Sequence, residues 1–269
     1  MLSRTSRTLT YVCAVLYLVL GGLLFFQPVA LAPVFAWKVT AFMTMTIGGW
    51  CIGNAWLAYI SARRWTWGVV RTSLIYLWLF GFFESYVLIA FREKIQPGHP
   101  VAWLYMLTLG INLLTAVLGV YDWYKLRPAR EPFAESSPWW MRWAVVGFVV
   151  LVAGLGLYGV FAQVGWPFTE GQIFPEIMSL FTLRSFGFFY TALALAPIPL
   201  IWEKGLRPLL HHALAAYALI VFITAAAFVY LQLFDFSAKP FGLAYFGAYL
   251  IVGIPLLFVF MMYRKYLAA

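Results

Sequence analysis

Apolar residues in this chain gather into eight long runs, each separated from the next by charge or proline. They span Leu9–Phe26, Lys38–Ile60, Thr72–Phe91, Val101–Tyr121, Arg142–Gln163, Glu176–Ile201, Leu210–Leu233 and Phe241–Tyr263. Each has roughly the 20 residues needed to cross a bilayer's hydrocarbon core as a helix. Lipid offers no partner for an exposed backbone amide, and the runs lack the alternation of outer-membrane strands. The expected fold is therefore all-α, a polytopic membrane bundle of eight transmembrane helices.

Composition sharpens this. Of 269 residues, 64% are hydrophobic, 20% aromatic and 10% charged, with a mean hydropathy of +0.88. A soluble domain carries about a quarter charged residues, so that class is excluded. The first run, preceded by Arg4 and Arg7 and followed by Ala30-Leu31-Ala32, looks like a secretory signal. It is longer than the usual core of about 7–15 residues, and Pro33 follows the would-be cut, so an uncleaved first helix is expected.

Basic residues divide unevenly between the two sides. Thirteen fall with the termini and the connections between even and odd runs, four (Lys38, Arg92, Lys94 and Lys239) fall on the other side, and Arg184 lies within a run. The bias predicts both termini in the cytoplasm, in a bacterial cytoplasmic membrane. Trp37, Trp103 and Trp166 would mark the outer interface, and Trp65, Trp67, Trp123, Trp139, Trp140, Trp143 and Trp202 the inner one. The net charge of +9 is scattered through short loops, so nucleic acid is not an expected partner. The expected partners are the lipid bilayer, a small solute and other membrane proteins.

The two halves share a faint pattern. Pro28 and Phe35 match Pro167 and Phe174 at an offset of 139, and Thr44, Gly49 and Ala58 match Thr182, Gly187 and Ala196 at 138. Two parallel four-helix repeats are expected, over residues 1–121 and 142–269, with 122–141 as a cytoplasmic linker. The apolar outer loops Gln27–Trp37 and Gly165–Pro175 are expected as short helices lying on the bilayer, with a re-entrant fold as the alternative.

Ionisable residues inside a membrane helix cost roughly 2.5–3.5 kcal/mol each and need a reason to be there. Glu84 and Arg184 are such residues, and helical rise puts both about 12 Å beneath the outer face, near Thr46 and Thr108. These four are the candidate ligand-binding residues. An ion pair between Glu84 and Arg184 is expected, either as a working site or as a purely structural link. Gly49, Gly53, Asn54 and Asn112 are candidate helix-packing residues, the glycines through close approach and the amides through interhelical hydrogen bonds.

Other chemistry finds little support. Cys13 and Cys51 lie in apolar runs and read as packing residues. His211 and His212 are adjacent at one helix end, expected solvated or on lipid headgroups, and give no haem or metal geometry. No P-loop, HExxH, GxSxG or potassium-filter sequence occurs. Aromatic richness reads as belt and filler rather than as a pigment, quinone or carotenoid site, for which Phe82, Phe83, Phe188, Phe189 and Tyr190 would be walls. No cofactor is implied. The leading expectation is a membrane protein with an outward-facing polar pocket around Glu84 and Arg184 that binds or transports a small solute. An accessory subunit of a larger membrane complex is the main alternative, and a lipid-modifying enzyme the third.

Overall fold

Polar residues just ahead of the apolar runs start several helices. Ser3, Thr40 and Ser179 each accept a hydrogen bond from the backbone amide three residues on, and His99 accepts one from Val101. The computed structural model describes residues 1–128, 135–163 and 175–268. These contain long helices α1 (Arg4–Phe26), α2 (Ala41–Arg64), α3 (Trp67–Ala90), α4 (Pro100–Leu126), α5 (Trp139–Phe161), α6 (Leu180–Leu195), α7 (Leu206–Val229) and α8 (Gly242–Met262). No strand occurs among the described residues, only an isolated bridge between Ser136 and Gly205. The chain is an all-α bundle, and seven of its helices, counting α6 through to Trp202, are long and apolar enough to cross a membrane.

The helix outside that seven is α2, whose Thr44, Thr46, Gly48, Gly49, Gly53 and Asn54 lower its hydropathy. It is nonetheless the centre of the bundle. Nineteen of its 24 residues are buried, against four of 23 in α5. Protein replaces lipid around α2, so its polar and small residues meet other helices instead of hydrocarbon.

Consecutive contacts are antiparallel. α1 lies along α2, where a Cβ at Gly48 would come within 2.5 Å of the Phe25 amide nitrogen. α5 lies along α6 with Gly159 against Gly187, and α2 lies along α7 with Gly53 against Leu219. Gly49 faces Phe222 of α7 rather than α1, so by packing it is Gly48 that occupies the place Gly187 holds in α6. Both chain termini and the α2–α3 and α6–α7 connections lie at one end, the terminal end. The α1–α2, α3–α4 and α7–α8 connections lie at the other, the distal end.

Helix limits differ from the apolar runs mostly at polar ends. α1 begins five residues before Leu9, because Asp122 takes hydrogen bonds from Ser3 and Ser6 while Arg7 donates to the Ala62 carbonyl at 2.8 Å. α4 runs on to Leu126 and α5 begins at Trp139, both inside the stretch read as linker. α6 stops at Leu195, ahead of Pro197, and a short helix Pro199–Trp202 follows. Proline cannot supply the amide that would continue the helix.

The first apolar loop does not simply lie on the surface. A short helix, Pro28–Leu31, and a 3-10 turn, Ala32–Val34, lead into Phe35, Ala36 and Trp37, which turn inward and are buried. The Ala36 carbonyl accepts from the Gln96 amide at 2.7 Å, tying this loop to the α3–α4 connection. The corresponding loop before α6 lies almost wholly outside the described residues. Trp37, Trp65 and Trp67 lie at or beside helix ends but are buried against protein, Trp103, Trp123, Trp139, Trp140, Trp143 and Trp202 are exposed as an aromatic belt requires, and Trp166 lies outside the described residues.

Candidate functional site

Glu84 sits six residues before the distal end of α3, about 9 Å along the helix. It is 1% exposed. Ser185 of α6 donates its hydroxyl to Oε2 at 2.5 Å, and Oε1 has no hydrogen-bond partner among the described residues. Cys51, Tyr76 and Tyr105 lie within its electrostatic reach. An enclosed carboxyl group with one oxygen held and one open is an acceptor prepared for a proton or a small cation, because leaving it bare would cost several kcal/mol.

Two aromatic layers enclose this level. On the distal side Trp37 stacks on Phe181 at 4.3 Å, Phe91 stacks on the same ring at 5.3 Å, and Phe35 and Tyr105 pack edge-on around Trp37. The Trp37 indole donates to Thr182 at 3.1 Å, which fixes this ring of the α1–α2 loop against α6. Toward the terminal end Trp50 stacks on Phe189 at 4.4 Å, with Phe186 and Phe80 edge-on around the pair. The pocket expected to face outward is therefore covered on that side by Trp37 and Phe181.

Arg184 does not pair with Glu84. Its guanidinium donates to the Gly159 carbonyl of α5 at 2.8 Å, and the residue is only half-buried. Neighbouring helix positions point about 100° apart, so Ser185 reaches the interior while Arg184 turns to α5. Equal depth brought the two charges to one level without bringing them together. Thr46 and Thr108 are fully buried, and each donates to the carbonyl four residues earlier, on Phe42 and Leu104. Tyr76 donates to Asn54 at 2.9 Å and Asn112 donates to Tyr17 at 2.8 Å.

Several buried polar groups went unread in the sequence. Arg71, assigned to a loop, is buried in the first turns of α3 and forms an ion pair with Glu203. His211 and His212 are enclosed rather than solvated, because α7 begins at Leu206 and buries their turn. His211 approaches the Ser61 hydroxyl at 3.5 Å. A broken string of buried polar groups thus descends α2, α3 and α7, from Glu84 through Tyr76 and Asn54 to Ser61 and His211, with Arg71 paired to a part-exposed Glu203 beyond. The signal for it was present as Ser61 just after the second run and Arg71, Thr72 and Ser73 at the start of the third, polar residues at run ends where water could have served them.

Away from this string, a cavity of about 520 Å³ opens between α5 and α8, floored by α6 and α7. Its lining is apolar apart from His212, the hydroxyls of Tyr190 and Tyr249, and the indole of Trp140. Among the described residues no group of three potential metal ligands occurs. No family model matches the chain, no curated protein matches it, and no solved structure matches it.

Proposed function

We propose that this is an eight-span membrane protein that binds and moves a small solute at Glu84, with both termini in the cytoplasm. The observation that carries the reading is the open Oε1 of a fully enclosed Glu84 whose other oxygen is fixed by Ser185. Ionisable groups inside membrane bundles mark ion pathways and proton relays. Buried polar groups at Tyr76, Asn54, Ser61 and His211 lead from Glu84 toward the terminal end. A proton or a small monovalent cation is the solute this site suits, since the described cavity does not reach Glu84.

The duplication belongs to the same proposal. Three features support it: Gly48 and Gly187 take the same role, α1–α2 and α5–α6 are the two most extensive helix contacts, and α2–α7 is mirrored by α6–α3. An exchange of halves would then place Glu84 and Ser185 across the shared central interface.

Flux through proteoliposomes loaded with a pH-sensitive dye tests the function. Imposed gradients of sodium or potassium should drive a pH change with the native chain and not with Glu84→Gln. A hydrophobic carbodiimide, which attacks enclosed carboxyl groups, should label Glu84 and abolish the signal. Native flux in a folded Glu84→Gln variant would refute the assignment.

A further inference from the structure

The cleft between α5 and α8 belongs to neither the Glu84 site nor its polar string, and its form is specific. It extends from Trp140 in the first turn of α5 past Phe148 to Leu155, with Tyr190, Tyr249 and Val252 on the facing helices. Helical rise makes that span about 22 Å. Leu151 and Ile251 lie on its rim and are exposed, so in a membrane the mouth opens to lipid. A volume of about 520 Å³ falls in the range of small-molecule sites, which runs from about 300 to 1,000 Å³.

One polar side chain in this cleft has no role inside the protein. His212 is 6% exposed, makes no hydrogen bond among the described residues, and lines the cavity from α7. A buried imidazole without a partner loses the hydrogen bonds it had in water. Tyr190 and Tyr249, by contrast, satisfy each other at 2.6 Å. Pro255 also lines the cleft, and its missing amide leaves the Ile251 carbonyl without its helical donor.

We infer that this cleft binds a lipid-soluble quinone, with a ring carbonyl accepting a hydrogen bond from His212 and the isoprenoid tail lying along the apolar slot. Three observations select that chemistry. Among the described residues no Lys, Arg, Asp or Glu lines the cavity, so a neutral head suits it and a fatty acid carboxylate is disfavoured. Trp140, Phe148 and the tyrosines provide aromatic faces for a ring. The mouth faces lipid, so the occupant arrives dissolved in the bilayer. The inference concerns binding alone and is independent of the reading at Glu84.

Titration of the purified chain with decylubiquinone, followed by quenching of tryptophan fluorescence, tests it. The native protein should show saturable quenching at one equivalent, with Trp140 as a reporter. His212→Leu should weaken binding about tenfold, the loss of one hydrogen bond in a dry site. A Cβ at Gly147, on the cavity wall, would meet no atom within 4 Å. Gly147→Leu therefore adds a side chain at the cavity wall with no clash at Cβ, and should weaken saturable binding. Three results would overturn the inference: quenching that is unsaturable and equal in Gly147→Leu, equal competition by hexadecane or palmitate, or native affinity in a folded His212→Leu.

Discussion

The pair α1 and α4 and the pair α5 and α8 hold like places in chain order and are joined by opposite means. Between α1 and α4, Cys13 meets Thr115 at 3.1 Å, Asn112 donates to Tyr17, and Asp122 gathers Ser3 and Ser6. Between α5 and α8 the facing surfaces are apolar, with Val145 and Val152 on one side and Val252 and Leu256 on the other, and a cavity remains. Lipid tails solvate valine as well as another helix does, so apolar faces alone give no drive to close in a membrane. Hydrogen bonds and tight fit supply that drive. The first pair closes because it carries polar groups at matching depths, and the second stays apart because it does not.

Gly187→Leu should show the largest effect on this contrast. α5 rests on α6 through Gly156 and Gly159 and has no closed contact with α8, so a side chain at Gly187 pushes α5 off its main support. A loss of about 3 kcal/mol is expected in thermal unfolding of the detergent-solubilised chain. Gly48→Leu, with its helix partner α1 still held by α4, should keep the N-terminal segment protected from protease where Gly187→Leu exposes α5. Equal exposure of both helices would show that the polar links of α1 and α4 do not hold it.

A smaller effect is expected from the Tyr17–Asn112 bond itself. A double-mutant cycle with Tyr17→Phe and Asn112→Ala should give a coupling of about 0.6–1.7 kcal/mol, the range for hydrogen bonds between membrane helices. Coupling near zero would assign the closure of α1 on α4 to shape alone. The smallest change should follow Gly147→Leu, which replaces a helix-interior glycine whose Cβ would meet open space and should raise stability by about 0.5–1 kcal/mol. Destabilisation there would mean that the cleft is narrower than its 520 Å³ implies.

These residues also show what a sequence can and cannot disclose in a membrane protein. Spans were legible because twenty apolar residues in a row have few other uses, and Glu84 stood out because a carboxylate there demands an explanation. Its partner was not legible. Depth follows from counting along a helix, but direction around the helix depends on neighbours, and Ser185 rather than Arg184 faced inward. Arg71, His211 and His212 were misread for a related reason: run ends give no sign of whether another helix or water will cover them. The inward turn of Phe35 and Trp37 was hidden too, since an apolar loop suits a lipid surface and a protein interior equally.

The burial of α2 carries a consequence for how the chain is made. A helix with so many threonines, glycines and an asparagine is a poor guest in lipid until protein surrounds it. Its neighbour α1 precedes it, but α7, which covers Gly49, Gly53 and Ser61, is complete only at Val229, 165 residues after Arg64. At ribosomal speeds of about 5–20 residues per second that interval is roughly 8–30 s. Through that time the nascent α2 has one protein flank and one unfinished one, so the insertion machinery must shelter the middle of this protein until its second half arrives.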